Sequence, residues 1–409
     1  MLCSRVMVSI GRFITTILLL SLIAGCTRRE WTSAVGPLSS PAAPGSNEPQ
    51  LTGTDDSMVL SWVERVGTTN TLKFAMRSES AWTSPRIAAS GSDWFLSYAD
   101  VPSVTRLSDG TLVAQWLQET DASIEAYNLQ LSYSKDSGQT WSPPFMPHND
   151  GTMTQHGFAS IVDLPAGIAL VWLDGRAAEL DTTSPDGGAM SIRYAAFDRN
   201  WRQTADVPVD ARVCECCPTT AAITSDGVLT AFRDRSATEV RDISVSRLEN
   251  GAWTPSATVH DDGWEIAACP VNGPMLSARG RQVVVTWFTV EADQGQAWAA
   301  FSSDAGRTWG TPIRLDDASS LGRVDVELLD DGSAAALWIE FADGRSQLRM
   351  RRIETSGARS AAVTVSGLDE GRTSGYPRMA KRGNELVFAW TESTGDGLQT
   401  VRTAIARLP

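Results

Sequence analysis

A short apolar strand that ends in an aromatic residue recurs along the whole chain at a nearly constant spacing. The aromatic positions of this series are Trp62, Trp116, Trp172, Phe232, Trp287, Trp338 and Trp390. Successive positions are 54, 56, 60, 55, 51 and 52 residues apart. A period of this length is typical of a β-propeller, because a small sheet can bury both faces only against its neighbours in a ring. The pattern therefore predicts an all-β chain that forms a single β-propeller of seven four-stranded blades, with six blades as the alternative.

A second tryptophan series runs parallel to the first and marks the outermost strand of the first five predicted blades. Its members are Trp82, Trp141, Trp201, Trp253 and Trp309. The last blade runs out of chain after its third strand, and Trp31 precedes Trp82 by one repeat. We therefore expect the segment Glu30–Ser33 to close the ring as the fourth strand of the last blade, which removes an exposed sheet edge. The alternative is that residues 27–50 are a disordered tether.

Two of the turns that lead into this second series are near copies of each other. They read Tyr133-Ser-Lys-Asp-Ser-Gly-Gln-Thr-Trp141 and Phe301-Ser-Ser-Asp-Ala-Gly-Arg-Thr-Trp309. In the second copy, Asp304 can accept hydrogen bonds from the backbone amides that follow it, and Gly306 supplies a positive φ. The motif resembles the Asp-box, or BNR repeat, of the sialidase-like β-propellers. This resemblance implies the propeller fold and says little about activity, because one fold carries many functions.

Composition supports a large folded core and argues against one class of partner. Hydrophobic residues make up 42% of the 409 residues, which is enough for one large domain. The formal net charge is -13, whereas a nucleic-acid-binding protein needs a basic surface. We therefore expect no nucleic-acid partner.

The N-terminal segment has the pattern of an export signal. Arg5 and Arg12 precede an apolar stretch, Phe13–Ile23, that is short for a membrane-spanning helix. The sequence Ile23-Ala-Gly-Cys26 that follows resembles the lipobox of bacterial lipoproteins. This resemblance implies cleavage before Cys26 and acylation of its thiol by palmitate or a similar chain.

The lipobox resemblance sets the expected domain organisation and location. We expect a signal peptide at residues 1–25, a lipidated Cys26 with closing strand and tether at residues 26–50, and the propeller at residues 51–409. The mature protein would be lipid-anchored in the bacterial cell envelope, at the outer membrane, facing the periplasm or the surface.

Four cysteines remain beyond the N-terminal segment: Cys214, Cys216, Cys217 and Cys269. An even number of cysteines in an exported protein most often means disulfides. We expect two, at least one of which joins the 214–217 segment to Cys269, and no cofactor. The alternative is a Cu(I) or zinc site built from Cys214, Cys217, Cys269 and His156, since thiolate and imidazole suit these metals.

The loops after the aromatic strands and the connections between blades are expected to share one face around the central channel. Acidic residues fall two positions after the aromatic in five blades, at Glu64, Asp174, Asp234, Glu340 and Glu392. The candidate ligand-binding residues on this face are Trp94, Trp264, Arg176, Arg235, Asp174 and Asp234. Tryptophan could stack on a sugar ring, and the interleaved arginines could receive an anion. The alternatives are tryptophans that pin their own loops and acidic residues that form salt bridges between loop ends.

The sialidase resemblance also implies a catalytic set. Enzymes of that family hold the substrate carboxylate with three arginines and use a tyrosine nucleophile and an aspartate acid. The positions that could take these roles are Tyr376, Arg233, Arg323, Arg378 and Asp100. Two departures argue against activity, because sialidase catalytic domains have six blades and Asn47-Glu-Pro-Gln50 stands where the family has Arg-Ile-Pro.

Together the patterns favour a cell-envelope lipoprotein whose propeller binds a glycan, a peptide or an envelope protein at its channel face. One alternative is a glycoside hydrolase of the exo-sialidase type. A second is a periplasmic copper, zinc or redox site built on the cysteines and His156. The sequence leaves open whether the protein is an enzyme.

Overall fold

The structure is a computed structural model, and the residues it describes form 29 β-strands. The described residues are 31–54, 56–78, 80–121, 125–177, 188–369, 371–393 and 397–409. In chain order the strands are β1 (Gly36–Leu38), β2 (Ser46–Gly53), β3 (Met58–Val66), β4 (Thr69–Ser78), β5 (Ala81–Trp82), β6 (Arg86–Gly91), β7 (Ser103–Arg106), β8 (Leu112–Asp121), β9 (Ala126–Ser134), β10 (His156–Leu164), β11 (Gly167–Asp174), β12 (Ser191–Asp198), β13 (Gln203–Asp210), β14 (Thr220–Thr224), β15 (Gly227–Arg233), β16 (Ile243–Glu249), β17 (Ala252–Trp253), β18 (Ala257–Thr258), β19 (Met275–Arg279), β20 (Gln282–Glu291), β21 (Gln294–Ser302), β22 (Ile313–Arg314), β23 (Ser319–Leu328), β24 (Ala334–Ala342), β25 (Arg345–Ile353), β26 (Val363–Gly367), β27 (Arg378–Arg382), β28 (Glu385–Ser393) and β29 (Gln399–Arg407). Within this part of the chain, no helix is long and apolar enough to cross a membrane.

The strands form seven antiparallel sheets, which are the seven blades of a propeller. Blade 1 contains β2–β6, blade 2 β7–β9, blade 3 β10–β13, blade 4 β14–β18, blade 5 β19–β22, blade 6 β23–β26, and blade 7 β27–β29 with β1. In blade 2 the fourth position is held by a single bridge between Leu131 and Phe145. This architecture confirms the predicted fold class and the count of seven blades.

The ring is closed by the N-terminal part of the chain, as predicted. Strand β1 pairs antiparallel with β29, with Gly36 opposite Ile405. Of the predicted segment Glu30–Ser33, residues 31–33 are described and lie just before this strand. The Ser33 amide donates to the Arg407 carbonyl over 2.7 Å, and the Thr32 hydroxyl donates to the same carbonyl over 3.2 Å. The expected pairing is thus displaced along the chain, because Trp31 turns into the space between blades and joins the apolar core there.

The hydrophobic core is divided among the blade interfaces. Seven apolar clusters are found among the described residues, one for each pair of neighbouring blades, including the pair formed by blades 7 and 1. The tryptophans that end the second strands lie at their centres, and Trp62, Trp172, Trp287 and Trp338 have no exposed surface. Burying such a side chain contributes roughly 2–3 kcal/mol, so the 50–60-residue repeat is the signature of blade packing.

The Asp-box turns dock each outer strand against the preceding blade. Asp304 accepts the amides of Arg307 and Thr308 and the Thr308 hydroxyl over 2.7–3.0 Å. These bonds lower the pKa of the Asp304 carboxyl to about 2, although its partial burial opposes the shift. Gly306 has a φ of +79° and lies against Leu229 of blade 4. The motif therefore acts at the rim of the ring, away from the channel.

Candidate functional site

A cavity of about 140 Å³ lies where the innermost strands of six blades converge at the centre of the ring. Its polar lining on these strands consists of Gln50 and Thr52 of β2, Ser103 and Thr105 of β7, Ser160 of β10, Thr220 of β14 and Arg378 of β27. Residues two positions apart on a strand point to the same side. Gln50 and Thr52 of β2 therefore both face the channel, as do Ser103 and Thr105 of β7. The centre of the ring is thus polar, while the blade interfaces around it are apolar.

Several enclosed polar atoms in this cavity have no hydrogen-bond partner among the described residues. They are Gln50 Oε1, Thr52 Oγ1, Gln115 Oε1 and Arg378 Nε. A buried polar group without a partner costs about 1–3 kcal/mol, and most such groups in folded proteins are satisfied. The concentration of four of them around one cavity indicates that solvent or a polar ligand completes their hydrogen bonds.

Arg378 is the cationic group of the cavity. Its side chain is buried, its guanidinium lies 5.5 Å from the centre of the Tyr376 ring, and Nη1 is 3.7 Å from the Met275 sulfur. Burial lowers the pKa of Arg378, while the charge of Asp325 opposes that shift. A guanidinium with so few polar partners is well placed to bind an anionic group.

Two carboxyl groups lie beside the cavity and hold protons unusually well. Asp100 is 3% exposed and accepts the Phe158 amide over 2.7 Å. Burial raises the pKa of Asp100 to about 7, and the hydrogen bond from Phe158 limits the rise. Burial and the charge of Asp100 raise the pKa of Glu48 to about 8, and its Oε2 is enclosed without a partner. Near neutral pH these groups can therefore donate hydrogen bonds as well as accept them.

Tyr376 and Arg233, two of the predicted catalytic residues, are engaged by the backbone. The Tyr376 hydroxyl donates to the Val271 carbonyl, and burial raises the pKa of this phenol. Arg233 is 1% exposed and donates to three backbone carbonyls, those of Asn272, Arg241 and Phe288, over 2.5–2.8 Å. Neither side chain presents a free polar atom to the cavity, so their contacts are those of structural residues.

Arg323 is also held by backbone groups. It donates to the Ser374 hydroxyl and to the carbonyls of Gly375 and Gly371 over 2.9–3.1 Å. The structure therefore gathers the three predicted arginines near the segment that leads into β19, but only Arg378 points an unpartnered nitrogen into the cavity. A three-arginine clamp on one carboxylate is not assembled.

The two tryptophans predicted to bind ligand are buried. Trp94 is 7% exposed and stacks on Trp116, with ring centres 5.7 Å apart. Trp264 packs edge to face on Phe288 and lies 4.8 Å below the Arg233 guanidinium. These contacts agree with the alternative interpretation, in which each tryptophan pins its own loop.

The acidic residues that follow the aromatic strands satisfy the tryptophans before them. The indole N–H of Trp62 donates to Glu64 over 2.8 Å, and that of Trp172 donates to Asp174 over 2.9 Å. Trp338 and Glu340 repeat the arrangement at 2.9 Å. The charged ring predicted at the channel mouth is therefore, in these blades, a set of buried indole–carboxylate pairs.

The remaining charged candidates are also paired. Asp174 accepts Arg176 Nε over 2.7 Å. Asp234 accepts the Ser244 hydroxyl over 2.9 Å, and Arg235 pairs with Glu239 at 2.6 Å. The contacts of Asp174 and Arg235 match the salt-bridge alternative for the loop ends, whereas Asp234 is held by a hydroxyl group.

The cysteines converge beside the cavity as free thiols. The Cys214 sulfur lies 3.1 Å from that of Cys217 and 3.9 Å from that of Cys216. Cys269 is exposed, and its sulfur is 3.7 Å from Glu215 Oε1. Disulfide pairing of these residues stays a prediction, and Cys26 lies outside the described residues.

His156 belongs to a different group from the one expected in the metal-site alternative. It stacks on His148 with ring centres 3.8 Å apart, and both imidazoles lie 3.2–3.3 Å from Asp150 Oδ2. Arg176 approaches the same carboxylate oxygen at 3.1 Å. Burial and the neighbouring His156 lower the pKa of His148 to about 4. The sequence offset that seemed to align His156 with the cysteines does not bring their ligand atoms into one cluster.

The cavity residues that sequence reasoning missed are the uncharged ones. Gln50, Thr52 and Gln115 belong to ordinary strand patterns and carry no motif. The signal that could have found them is the pair of alternating triplets Gln50-Leu-Thr52 and Ser103-Val-Thr105, which recur at the innermost position of two consecutive blades.

Comparison with known proteins reveals the fold and no family. No protein-family model matches the sequence, and no curated protein is a significant match. Among solved structures, the polysaccharide lyase Uly1 is 9% identical, with a TM-score of 0.52 over 95% of this chain and 94% of that chain. An α-L-arabinanase of Penicillium chrysogenum, complexed with arabinobiose, is 14% identical, with a TM-score of 0.47 over 77% and 95%. The sialidase of Trypanosoma rangeli, complexed with the inhibitor DANA, is 12% identical, with a TM-score of 0.43 over 80% and 56%.

The likeness to Uly1 spans nearly the whole of both chains and supports the propeller fold. At 9% identity it shows the fold alone. The other two TM-scores are too low to support an argument, and this chain spans little more than half the length of the sialidase. The chemistry must therefore be argued from the cavity.

Proposed function

We propose that this protein is a binding propeller whose central cavity takes the acidic terminal residue of a glycan. The observation that carries the proposal is the set of unpartnered polar atoms that surround Arg378 in the cavity. Carboxylate oxygens suit the guanidinium, and the hydroxyl groups of a sugar suit the amides and hydroxyls around it.

The size of the cavity supports a single sugar residue. A space of about 140 Å³ holds roughly ten water molecules. That volume is comparable to one monosaccharide and too small for an extended oligosaccharide, so the rest of the chain would leave through the channel mouth.

The electrostatics support an acidic sugar. The chain as a whole is acidic, with a formal charge of -13, yet the cavity is lined by the guanidinium of Arg378. Among the described residues this group makes no salt bridge, although the charge of Asp325 acts on it. Asp100, the nearest carboxyl that lines the cavity, has a pKa raised to about 7 by burial. It can therefore hold a proton and donate to the ligand instead of repelling it.

Calorimetric titration with glucuronate, N-acetylneuraminate and glucose tests this proposal. We expect the two acids to bind at least about tenfold more tightly than glucose, because a hydrogen bond to a charged group contributes about 1.5–3 kcal/mol. Arg378→Gln should abolish the preference for the acids, whereas Arg402→Gln, on an exposed side chain of the same blade, should leave it unchanged. Equal affinity for the acids and glucose, or an unaffected Arg378→Gln, would overturn the proposal.

The sialidase alternative has its own test. The Tyr376 hydroxyl is already bonded to Val271, and burial raises the pKa of this phenol, which opposes a nucleophilic role. We therefore expect no hydrolysis of a fluorogenic sialoside. Turnover that Tyr376→Phe removes would show an enzyme and refute a purely binding role.

We also propose that the propeller is held in the bacterial cell envelope through Cys26, at the outer membrane. This rests on the lipobox resemblance alone. Metabolic labelling with a palmitate analogue should mark the wild-type protein and not Cys26→Ser, and the variant should leave the membrane fraction. Labelling of both proteins would refute the anchor. A glycan of the envelope, or an envelope protein that carries one, would then be within reach of the cavity.

A further inference from the structure

Three thiol groups converge within a short segment of blade 4 that precedes strand β14. The sulfur atoms of Cys214, Cys216 and Cys217 all lie within 4.8 Å of one another. Cys214 and Cys217 are buried, and Cys216 is partly exposed. The cluster therefore combines a dry interior with one thiol that solvent can reach.

The spacing of the sulfurs is close to what a shared metal ion requires. Thiolate ligands lie about 2.3 Å from such an ion, so two sulfurs on one ion are roughly 3.8–4.0 Å apart. The Cys214 sulfur is 3.9 Å from that of Cys216 and 3.1 Å from that of Cys217. Metal binding would therefore need sulfur movements below about 1 Å, which side-chain rotation can supply.

The charges around the cluster fit several thiolates. Arg241 is 2% exposed, and its Nη1 lies 3.3 Å from the Cys214 sulfur. The charge of Arg233 also acts on Cys214 and Cys217. Arg241 also pairs with Glu215 at 3.0 Å and with Glu239 at 2.7 Å. A monovalent cation and three thiolates together are negatively charged, and the guanidinium groups of Arg241 and Arg233 partly offset that charge.

We propose that Cys214, Cys216 and Cys217 form a three-thiolate site for one Cu(I) ion. Soft thiolate ligands select Cu(I) and zinc, and zinc in structural sites is almost always held by four ligands. Among the described residues, the sulfurs of these three cysteines lie mutually within 4.8 Å, and Cys269, whose thiol interacts with that of Cys216, is not part of this set. His156, weighed as a fourth ligand from the sequence, contacts Asp150 and His148 instead.

Cys269 lies outside the set of three mutually close sulfurs, although its thiol is within hydrogen-bonding reach of the Cys216 thiol. It is exposed and belongs to the connection that leads to β19, and its sulfur is 3.7 Å from Glu215. Cys269 and the partly exposed Cys216 lie on the side of the cluster that faces solvent. An incoming ion would reach the cluster from this side. We assign Cys269 to the entry path and not to the coordination sphere.

The binding step is an exchange of protons for metal. Each thiol that coordinates gives up its proton to solvent, three Cu–S bonds form, and neither sulfur nor copper changes oxidation state. The ion must arrive as Cu(I), for example in a complex with a weaker ligand, so no reductant is consumed. The site shares a wall with the glycan cavity, because Pro218 follows Cys217 and lines that cavity, but the two proposals use different residues and can fail separately.

Anaerobic titration of the reduced full-length chain with Cu(I), against a chromophoric chelator, tests the site. We expect one tightly bound Cu(I) per chain and an X-ray absorption spectrum with three sulfur neighbours. Loss of a direct ligand through Cys214→Ser, Cys216→Ser or Cys217→Ser should weaken binding by more than about 100-fold. The matched control Cys269→Ser should stay within about threefold of the wild type.

Folding is monitored by near-ultraviolet circular dichroism for each variant. If the two buried variants fail to fold, Cys216→Ser and the wild-type absorption spectrum still decide the question, because Cys216 is partly exposed. Three outcomes would each overturn the proposal. The first is a copper ion with four sulfur neighbours whose binding depends on Cys269 as strongly as on the other cysteines. The others are a two-coordinate ion whose affinity is unchanged in Cys216→Ser, and a stable Cys214–Cys217 disulfide in the protein as purified.

Discussion

At the scale of single residues, the indole–carboxylate pairs show how a structural role can resemble a functional one. An acidic residue two positions after a strand-ending tryptophan suggested a charged channel mouth, but Glu64 and Asp174 instead accept the indole N–H of Trp62 and Trp172. The sequence revealed the spacing correctly. Residues two positions apart on a strand face the same side, so the spacing places the indole and the carboxylate together. The sequence could not show that packing between blades joins them as a pair instead of leaving the carboxylate at the channel mouth.

Asp100 carries a testable pH dependence. Burial raises the pKa of its carboxyl from 3.8 to about 7, so its contribution to stability is complete below pH 4 and is lost as the pH rises through 7. This group alone should lower the free energy of unfolding by about 1.4 kcal/mol per pH unit between pH 4 and 7. Asp100→Asn keeps an acceptor for the Phe158 amide and cannot ionise. We expect the variant to gain about 4 kcal/mol relative to wild type between pH 4 and pH 8, measured by denaturant unfolding.

The control for this measurement is Asp261→Asn, on an exposed aspartate, which should leave the pH dependence unchanged. An Asp100→Asn variant whose stability relative to wild type is the same at pH 4 and pH 8 would show that the folded protein does not hold a proton on Asp100.

At the scale of the element, the Asp-box turn is the unit that the sequence predicted best. In its two copies, the carboxylates of Asp136 and Asp304 accept equivalent hydrogen bonds from the third and fourth backbone amides that follow them. The sequence did not predict how the outer strand continues. In blade 1 the stretch that carries Trp82 is followed by β6, and both pair with β4; the closing strand likewise follows Trp31. A motif identifies a turn, but the point at which the chain rejoins the sheet is fixed by packing between blades.

Substituting two glycines in equivalent turns, Gly138 and Gly357, can distinguish two contributions to stability. One is the cost of a left-handed backbone at a residue with a Cβ, and the other is the contact between the turn and the preceding blade. Gly138 has a φ of +82°, and a Cβ there would lie 2.4 Å from the ring of Phe74, which is buried. Gly357, in the corresponding turn of blade 6, has a φ of +86° and nothing within 4 Å. Alanine should cost roughly 1 kcal/mol at either position for the left-handed backbone. At Gly138 the clash with Phe74 should add about 1–3 kcal/mol.

Equilibrium unfolding in urea measures both glycine variants under the same conditions. We expect Gly138→Ala to be clearly the less stable of the two. Equal losses would mean that the blade 2 turn does not rest against blade 1.

At the scale of the whole molecule, the ring depends on a strand that the chain supplies from its other end. The 50–60-residue period predicted the number of blades, and the missing fourth strand of the last blade predicted the closure. The central cavity was not predictable in the same way. Its lining comes from six blades, with between one and six residues from each, and no local pattern records that Gln50 and Arg378 line the same cavity.

Truncation tests the closure directly. A chain that begins at residue 41 lacks β1 and Trp31, and with them the β29 pairing and one buried tryptophan. We expect it to lose at least about 3 kcal/mol of stability and to associate through the uncovered edge of β29. A chain that begins at residue 31 keeps these contacts and should match the full chain in thermal unfolding and in size-exclusion behaviour. Equal behaviour of the two truncated chains would refute the role of β1.

The same closure sets the order of events during folding. Thr32 donates to the Arg407 carbonyl across a separation of 375 residues, so the last sheet cannot be completed until synthesis has passed Arg407. Contacts between such distant positions form slowly. Until they form, the nascent ring stays open at blade 7, with one bare sheet edge and one uncovered apolar interface. This interval, rather than the finished propeller, is where a chaperone would be needed and where aggregation would begin.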